Sequence, residues 1–152
     1  MLRLDNPVNL SSSSVGLANL PLQGSDIIQT HPDDFISIPI GWGKIETGAA
    51  SAKLLEVPLL VNRSSANAYE FRATSSDGNN GSVCMGDSGG PTHVGVREFG
   101  TGTVIGLSSY VQIPAGATGC NFPNVPSVFT RVSTYRDAVD SAVAFCGTAN
   151  CL

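Results

Sequence analysis

Short apolar runs separated by turn-forming residues fill the chain from about residue 35 to 132. Phe35–Trp42 is apolar and β-rich, and Gly41 and Gly43 punctuate its end. Lys53–Val61 is a second such run, with Pro58 marking an edge or a bulge. Tyr69–Thr74, Thr92–Val96, Thr103–Tyr110 and Val128–Val132 complete a set of six predicted strands. Ser75–Gly81 and most of Val111–Pro126 have the composition of loops. Upstream, Leu2-Arg3-Leu4 resembles a strand end stopped by Asn6-Pro7, and residues 9–25, rich in Ser, Asn and Leu, form a connector. The period changes at the tail, where Tyr135, Val139, Ala142, Val143 and Cys146 recur at three and four. That predicts a terminal helix with Ser133 as N-cap and Gly147 as its stop. Several short strands followed by one helix suit an antiparallel barrel or sandwich.

Composition narrows the function classes. The 152 residues suffice for one domain or a piece of a larger one, and 41% hydrophobic against 13% charged residues excludes disorder. A net charge of −4 leaves few cations to neutralise phosphates, so no nucleic-acid partner is expected. No apolar run is long enough to span a membrane, so none is expected there either. The cysteines are Cys84, Cys120, Cys146 and Cys151, without the close pairing of a zinc or redox motif. Their count suits disulfides in an oxidising compartment, with buried free thiols as the alternative. Asn9-Leu10-Ser11, Asn62-Arg63-Ser64 and Asn80-Gly81-Ser82 are formal glycosylation triplets. Met1–Pro7 has no apolar core of a secretion signal.

The chemistry concentrates in Cys84-Met85-Gly86-Asp87-Ser88-Gly89-Gly90-Pro91. Its Gly-x-Ser-x-Gly core has three readings. A nucleophile elbow of an α/β hydrolase needs a helix straight after the serine and a later histidine. Here Gly89-Gly90-Pro91 blocks a helix and no histidine follows His93, so that reading fails. A glycine-rich turn without chemistry is the second.

The longer match supplies the third. Cys-x-Gly-Asp-Ser-Gly-Gly-Pro resembles the active-site signature of trypsin-like, chymotrypsin-fold serine proteases. Leu2–Val8 resembles the segment after that family's catalytic aspartate, and Ile40-Gly41-Trp42-Gly43 the opening of its second barrel. Val57–Leu60 is similar to its next strand, Gly106–Tyr110 to the strand beside the substrate, and Pro126–Val132 with Tyr135 to the last strand and terminal helix. The resemblance implies an all-β fold: the second six-stranded antiparallel barrel of a chymotrypsin-type double barrel, plus a C-terminal helix. It divides the chain into the end of the first barrel and connector (1–25), the barrel with nucleophile and pocket (26–132), and the helix and tail (133–152). It implies a secreted serine endopeptidase acting on protein or peptide substrates through an acyl-enzyme, without metal or cofactor. Proteinaceous inhibitors and the first barrel of the same protein are its implied partners.

A serine hydroxyl attacks only when a base takes its proton. By resemblance Ser88 is the nucleophile, and the N–H groups of Gly86 and Ser88 form the oxyanion hole. Asp87 is the carboxylate that receives the freed N-terminus on zymogen activation. Ser82 forms the floor of the primary pocket beside Val83, with Met85, Ser109, Tyr110, Val111 and Ser127 also contacting substrate. A neutral Ser82 disfavours Arg or Lys, and Val111 narrows the slot as in elastase-like members, so small or medium aliphatic residues are expected, with Leu or Phe second. Cys84 pairs with Cys120. Cys146 pairs with Cys151 or with a cysteine elsewhere.

The family's order is His, Asp, Ser. His31, in a Thr-His-Pro-Asp loop, reads as structural, and His93 lies on a strand leading away from the serine. The expectation is therefore a truncated chain that lacks the catalytic His and Asp and is inactive alone. The alternative is a non-catalytic homologue acting as a binding or regulatory module.

Overall fold

The computed structural model describes residues 6, 8–9, 11, 16–22, 25–95, 102–117 and 119–148, with side chains as far as Phe145. The strand end expected at Leu2–Leu4 and the pairing of Cys146 and Cys151 lie outside them, as does Val96.

Seven strands form among the described residues: β1 (Phe35–Gly41), β2 (Leu55–Glu56), β3 (Leu59–Asn62), β4 (Glu70–Ser75), β5 (Pro91–Val94), β6 (Thr103–Val111) and β7 (Ser127–Arg131). The antiparallel ladder runs β2-β1-β3-β4-β7-β6-β5, and β5 pairs back onto β1 through Ile38↔His93 and Pro39↔Thr92. That last pairing closes a six-stranded barrel and removes its edges, which decides barrel over sandwich. The predicted run at Lys53–Val61 divides in two. Pro58 has no N–H to donate, and its carbonyl accepts from the Ser76 N–H and hydroxyl instead.

Alternation along the strands fills the barrel. Leu59 and Val61 of β3 and Phe71 and Ala73 of β4 are buried, while Leu60 and Asn62 face out. Phe71 stacks on Phe129 with ring centroids 5.1 Å apart. Val83, from the loop after β4, joins the same cluster. Burial of each such side chain contributes about 1.5–3 kcal/mol.

Just after the expected connector lies one helical turn that the periodicity of the sequence does not signal, α1 (Ile27–Thr30). Asp26 caps it by accepting from Ile28 N–H at 3.0 Å, and Ile28 is buried against the barrel core. Asp26 also pairs with Arg131, whose side chain is only 4% exposed and donates to the Asn67 carbonyl. Arg63 binds the Ile28, Gln29 and Pro32 carbonyls, so α1 is tied to the barrel at both ends.

The terminal helix is α2 (Arg136–Thr148). Ser133 is not its cap: it opens a 3-10 turn, Ser133–Tyr135, whose N-cap position is Val132. The helix also passes through Gly147, so that glycine does not stop it. No helix among the described residues is long and apolar enough to cross a membrane.

Candidate active site

The serine turn hangs between β4 and β5 and is pinned at both ends. At its start, Val83 N–H donates to the buried Ser127 hydroxyl at 3.1 Å, and Cys84 is disulfide-bonded to Cys120. At its end, Gly89 N–H donates to Ser108 O and Ser108 N–H to Gly90 O, both at 2.8 Å. Between these anchors the backbone makes two reverse turns, Asp87 N–H to Cys84 O and Gly90 N–H to Asp87 O. Gly86 at φ +100° and Gly89 at φ +82° occupy conformations that a side chain resists. Ser88 sits exposed at the tip between them.

Asp87 organises the turn from beneath. Its Oδ1 accepts from Gly43 N–H at 2.7 Å and its Oδ2 from Cys84 N–H at 2.9 Å. A Cβ on Gly41 or Gly43 would be driven into this carboxylate. The Gly-Trp-Gly run is therefore a carboxylate cradle, while Trp42 itself is exposed. Lys44 N–H, donating to Met85 O at 2.8 Å, continues the seam.

The donors along the turn divide cleanly. The N–H groups of Asp87, Gly89 and Gly90 are bonded internally. Those of Met85, Gly86 and Ser88 have no acceptor among the described residues, and two of them, Gly86 and Ser88, lie at and beside the serine. Free N–H groups on Ser88 and on Gly86, two residues before it, are donors of the kind that a developing oxyanion requires.

Ser88 opens onto a cavity of about 230 Å³ walled by Val83, Met85, Ser109, Tyr110, Val111 and Ile113. None of the described residues that line it is charged. The volume is below the usual ligand pocket of about 300–1,000 Å³ and suits a single side chain. Five of the seven residues expected to contact substrate line it. Ser82 and Ser127 do not. The Ser127 hydroxyl accepts from Val83 N–H, and Ser82 donates to the Cys120 carbonyl at 2.8 Å. Ile113 lines the cavity without having been expected; the long loop after β6 gives no sequence signal for which of its residues folds back.

A second cavity, of about 240 Å³, shares Val83, Cys84 and Cys120 with the first and is bounded by Asp87, Gly41, Gly43, Lys44, Glu46 and Ser82. Neither histidine reaches the serine. His93 pairs across from Ile38 and Val104 and packs against Gly102, and His31 binds the Asp33 carbonyl through Nδ1 with its ring on Phe35. Neither lines the cavity at Ser88.

Comparison with known proteins agrees with this geometry. The sequence model of the Trypsin family matches residues 1–139. The chain is 34% identical to proproteinase E of Bos taurus over 86% of its length and 51% of that protein's. It is 33% identical to chymotrypsin-like elastase family member 1 of Canis lupus familiaris, covering 95% of this chain and 55% of that one. A solved structure titled human heparin binding protein superposes with a TM-score of 0.69 at 27% identity, over 92% of this chain and 55% of the other. The chain thus spans about half the length of the curated relatives it matches. With the family match running from the connector to the terminal helix, and the closed barrel beneath it, this chain belongs to the trypsin family of serine proteases.

Proposed function

We propose that this chain is the nucleophile-bearing barrel of a secreted serine endopeptidase that works through an acyl-enzyme. The observation that carries the reading is the pair of unbonded N–H groups, Gly86 and Ser88, flanking an exposed serine hydroxyl at the mouth of an apolar cavity. Ser88 attacks the scissile carbonyl. The carbonyl oxygen, as it becomes an oxyanion, accepts from both N–H groups, and each such donor contributes about 2.7–4 kcal/mol to the transition state.

The proton of Ser88 needs a base, and neither histidine of the chain stands at the site. The base and its orienting acid come from a first barrel, with residues 1–25 as the end of that barrel and the connector, 26–132 as the second barrel and 133–152 as helix and tail. The chain by itself is therefore inactive in this reading. The second cavity receives a freed α-ammonium. Asp87 accepts two backbone N–H groups and has acceptor capacity left for a cation.

The primary pocket is the cavity at Ser88. Its uncharged lining cannot compensate a buried cation, and an unpaired buried charge costs several kcal/mol. Val111 narrows it, so small and medium aliphatic side chains fit best, Leu or Phe next. Ser82 and Ser127 act by fixing Val83 and the Cys84–Cys120 clamp. Substrate backbone lies along Ser109, Tyr110 and Val111, and protein inhibitors dock on the same edge.

A binding role without catalysis is the second reading. One solved neighbour has heparin binding in its title, but a segment at −4 with eight Lys and Arg residues is poorly matched to a polyanion. The full polypeptide, activated and profiled on a peptide library, decides between the two. Cleavage after small aliphatic residues, abolished by Ser88→Ala, is expected. Dominant cleavage after Arg or Lys would overturn the pocket, and no cleavage by the activated protein would overturn the enzyme.

A further inference from the structure

The catalytic reading leaves three Asn-x-Ser triplets without a role, and the fold separates them. Asn80-Gly81-Ser82 borders the cavity that holds Asp87, and the Ser82 hydroxyl is committed to the Cys120 carbonyl. A bulky group on Asn80 would stand beside that cavity. In Asn9-Leu10-Ser11 the central residue lies outside the described residues. Asn62-Arg63-Ser64 lines neither cavity.

Asn62 ends β3 on the outer face of the barrel and is exposed. Its Oδ1 accepts from the Ser64 hydroxyl at 2.7 Å and from Ser65 N–H at 3.2 Å. Its Nδ2 has no partner among the described residues. The surface beside it is apolar. Leu60, two residues earlier on the same face, is paired directly with Ile36 of β1, and the two are 37% and 43% exposed. An exposed apolar pair next to a free, outward amide is a site where a sugar can lay an apolar ring face on the barrel and keep its hydroxyls in water.

We infer that Asn62 carries an N-linked oligosaccharide whose first sugar covers Ile36 and Leu60, an inference that rests on the secreted reading above. The donor is a lipid-linked oligosaccharide diphosphate. The Asn62 Nδ2 forms a bond to the anomeric carbon as that carbon's bond to the diphosphate oxygen breaks. The lipid diphosphate leaves with the electron pair and Nδ2 loses one proton. Arg63 bears on the timing. In the folded barrel its guanidinium is held by three carbonyls of the α1 region at 2.7–2.9 Å, so the triplet is rigid. Transfer to Asn62 therefore precedes closure of this turn.

The test uses the full polypeptide secreted from cultured eukaryotic cells, with N-glycans released by peptide-N-glycosidase in heavy-oxygen water and peptides mapped by mass spectrometry. Labelled aspartate at position 62 is expected, absent in Asn62→Gln and Ser64→Ala and retained in Ser64→Thr. Ser64→Ala keeps the Asn62 bond to Ser65, so loss of the label there does not reflect loss of the turn. It should also bind more of an apolar fluorescent dye than wild type, and equal dye binding would overturn the covering of Ile36 and Leu60. A bare Asn62 in secreted protein with an intact Cys84–Cys120 bond would overturn the site and leave the secreted reading standing. Retention inside the cell with both cysteines reduced would overturn the two together.

Discussion

Asp87→Asn replaces one carboxylate oxygen by an amide beneath the serine turn and tests whether that carboxylate shapes the oxyanion donors. The carboxylate accepts from Gly43 N–H at 2.7 Å and Cys84 N–H at 2.9 Å. Asparagine can satisfy only one of them, since its NH2 then faces the other N–H donor to donor. A hydrogen bond to a charged acceptor contributes about 1.5–3 kcal/mol, and the site is partly solvated, so the low end applies, about 2 kcal/mol. That is roughly a thirtyfold change in the unfolding equilibrium at about 1.4 kcal/mol per factor of ten. The larger effect falls on chemistry. Cys84 N–H is the start of the turn that sets Gly86, and a displaced oxyanion donor lowers turnover on the order of a hundredfold or more. Denaturant unfolding of the full polypeptide gives the first quantity, and the rate at which a peptidyl phosphonate inactivates the activated enzyme gives the second. A variant that loses about 2 kcal/mol but keeps the wild-type inactivation rate would refute the coupling between Asp87 and the oxyanion donors.

Asp26→Ala leaves the buried Arg131 charge unpaired and should cost about 3–5 kcal/mol, whereas Asp26→Ala with Arg131→Met should cost less than the sum of the two single changes. Additive values in denaturant titrations would contradict the pairing. Val111→Gly should widen the cavity at Ser88 and shift kcat/KM toward Phe over Val substrates by about tenfold or more; an unchanged ratio would move the primary pocket elsewhere. Asp77 is held at about 2, below its ordinary 3.8, first by the Ser75 hydroxyl and then by Asn79. Its folded pKa is depressed, so its contribution is present above pH 3.8 and is lost as pH falls through about 2. A carboxyl NMR titration at the unshifted value would contradict this.

What the sequence made legible follows from the range of each interaction. The strands at Phe35–Gly41, Glu70–Ser75 and Thr103–Val111 carry local alternation and turn punctuation, and they lie within a residue or two of where the pattern puts them. The Cys84–Cys120 bond and the serine turn came from a specific resemblance, since an eight-residue motif encodes its own turn through Gly86 and Gly89. One helical turn at Ile27–Thr30 is too short to show a period, and it forms because Asp26 caps it and Ile28 finds the core. Ser133 has the chemistry of an N-cap, but the chain tightens into a 3-10 turn there before α2 begins. The Gly43–Asp87 contact joins residues 44 apart, and no local pattern announces it. Spacing likewise could not say that the Ser82 hydroxyl would donate to the Cys120 carbonyl or that the Ser127 hydroxyl would accept from Val83 N–H, because both partners are distant in the chain.

The central claim is that Ser88, with the free N–H groups of Gly86 and Ser88 beside it, is a reactive nucleophile once its base is supplied. The most direct measurement is intact-protein and peptide mass spectrometry of the activated full polypeptide after brief exposure to a peptidyl phosphonate with a small aliphatic side chain. The account predicts one stoichiometric adduct, on Ser88, that is lost in Ser88→Ala and forms far more slowly on the 152-residue chain alone. An unmodified Ser88 in the activated full polypeptide, or an adduct on another residue, would contradict it.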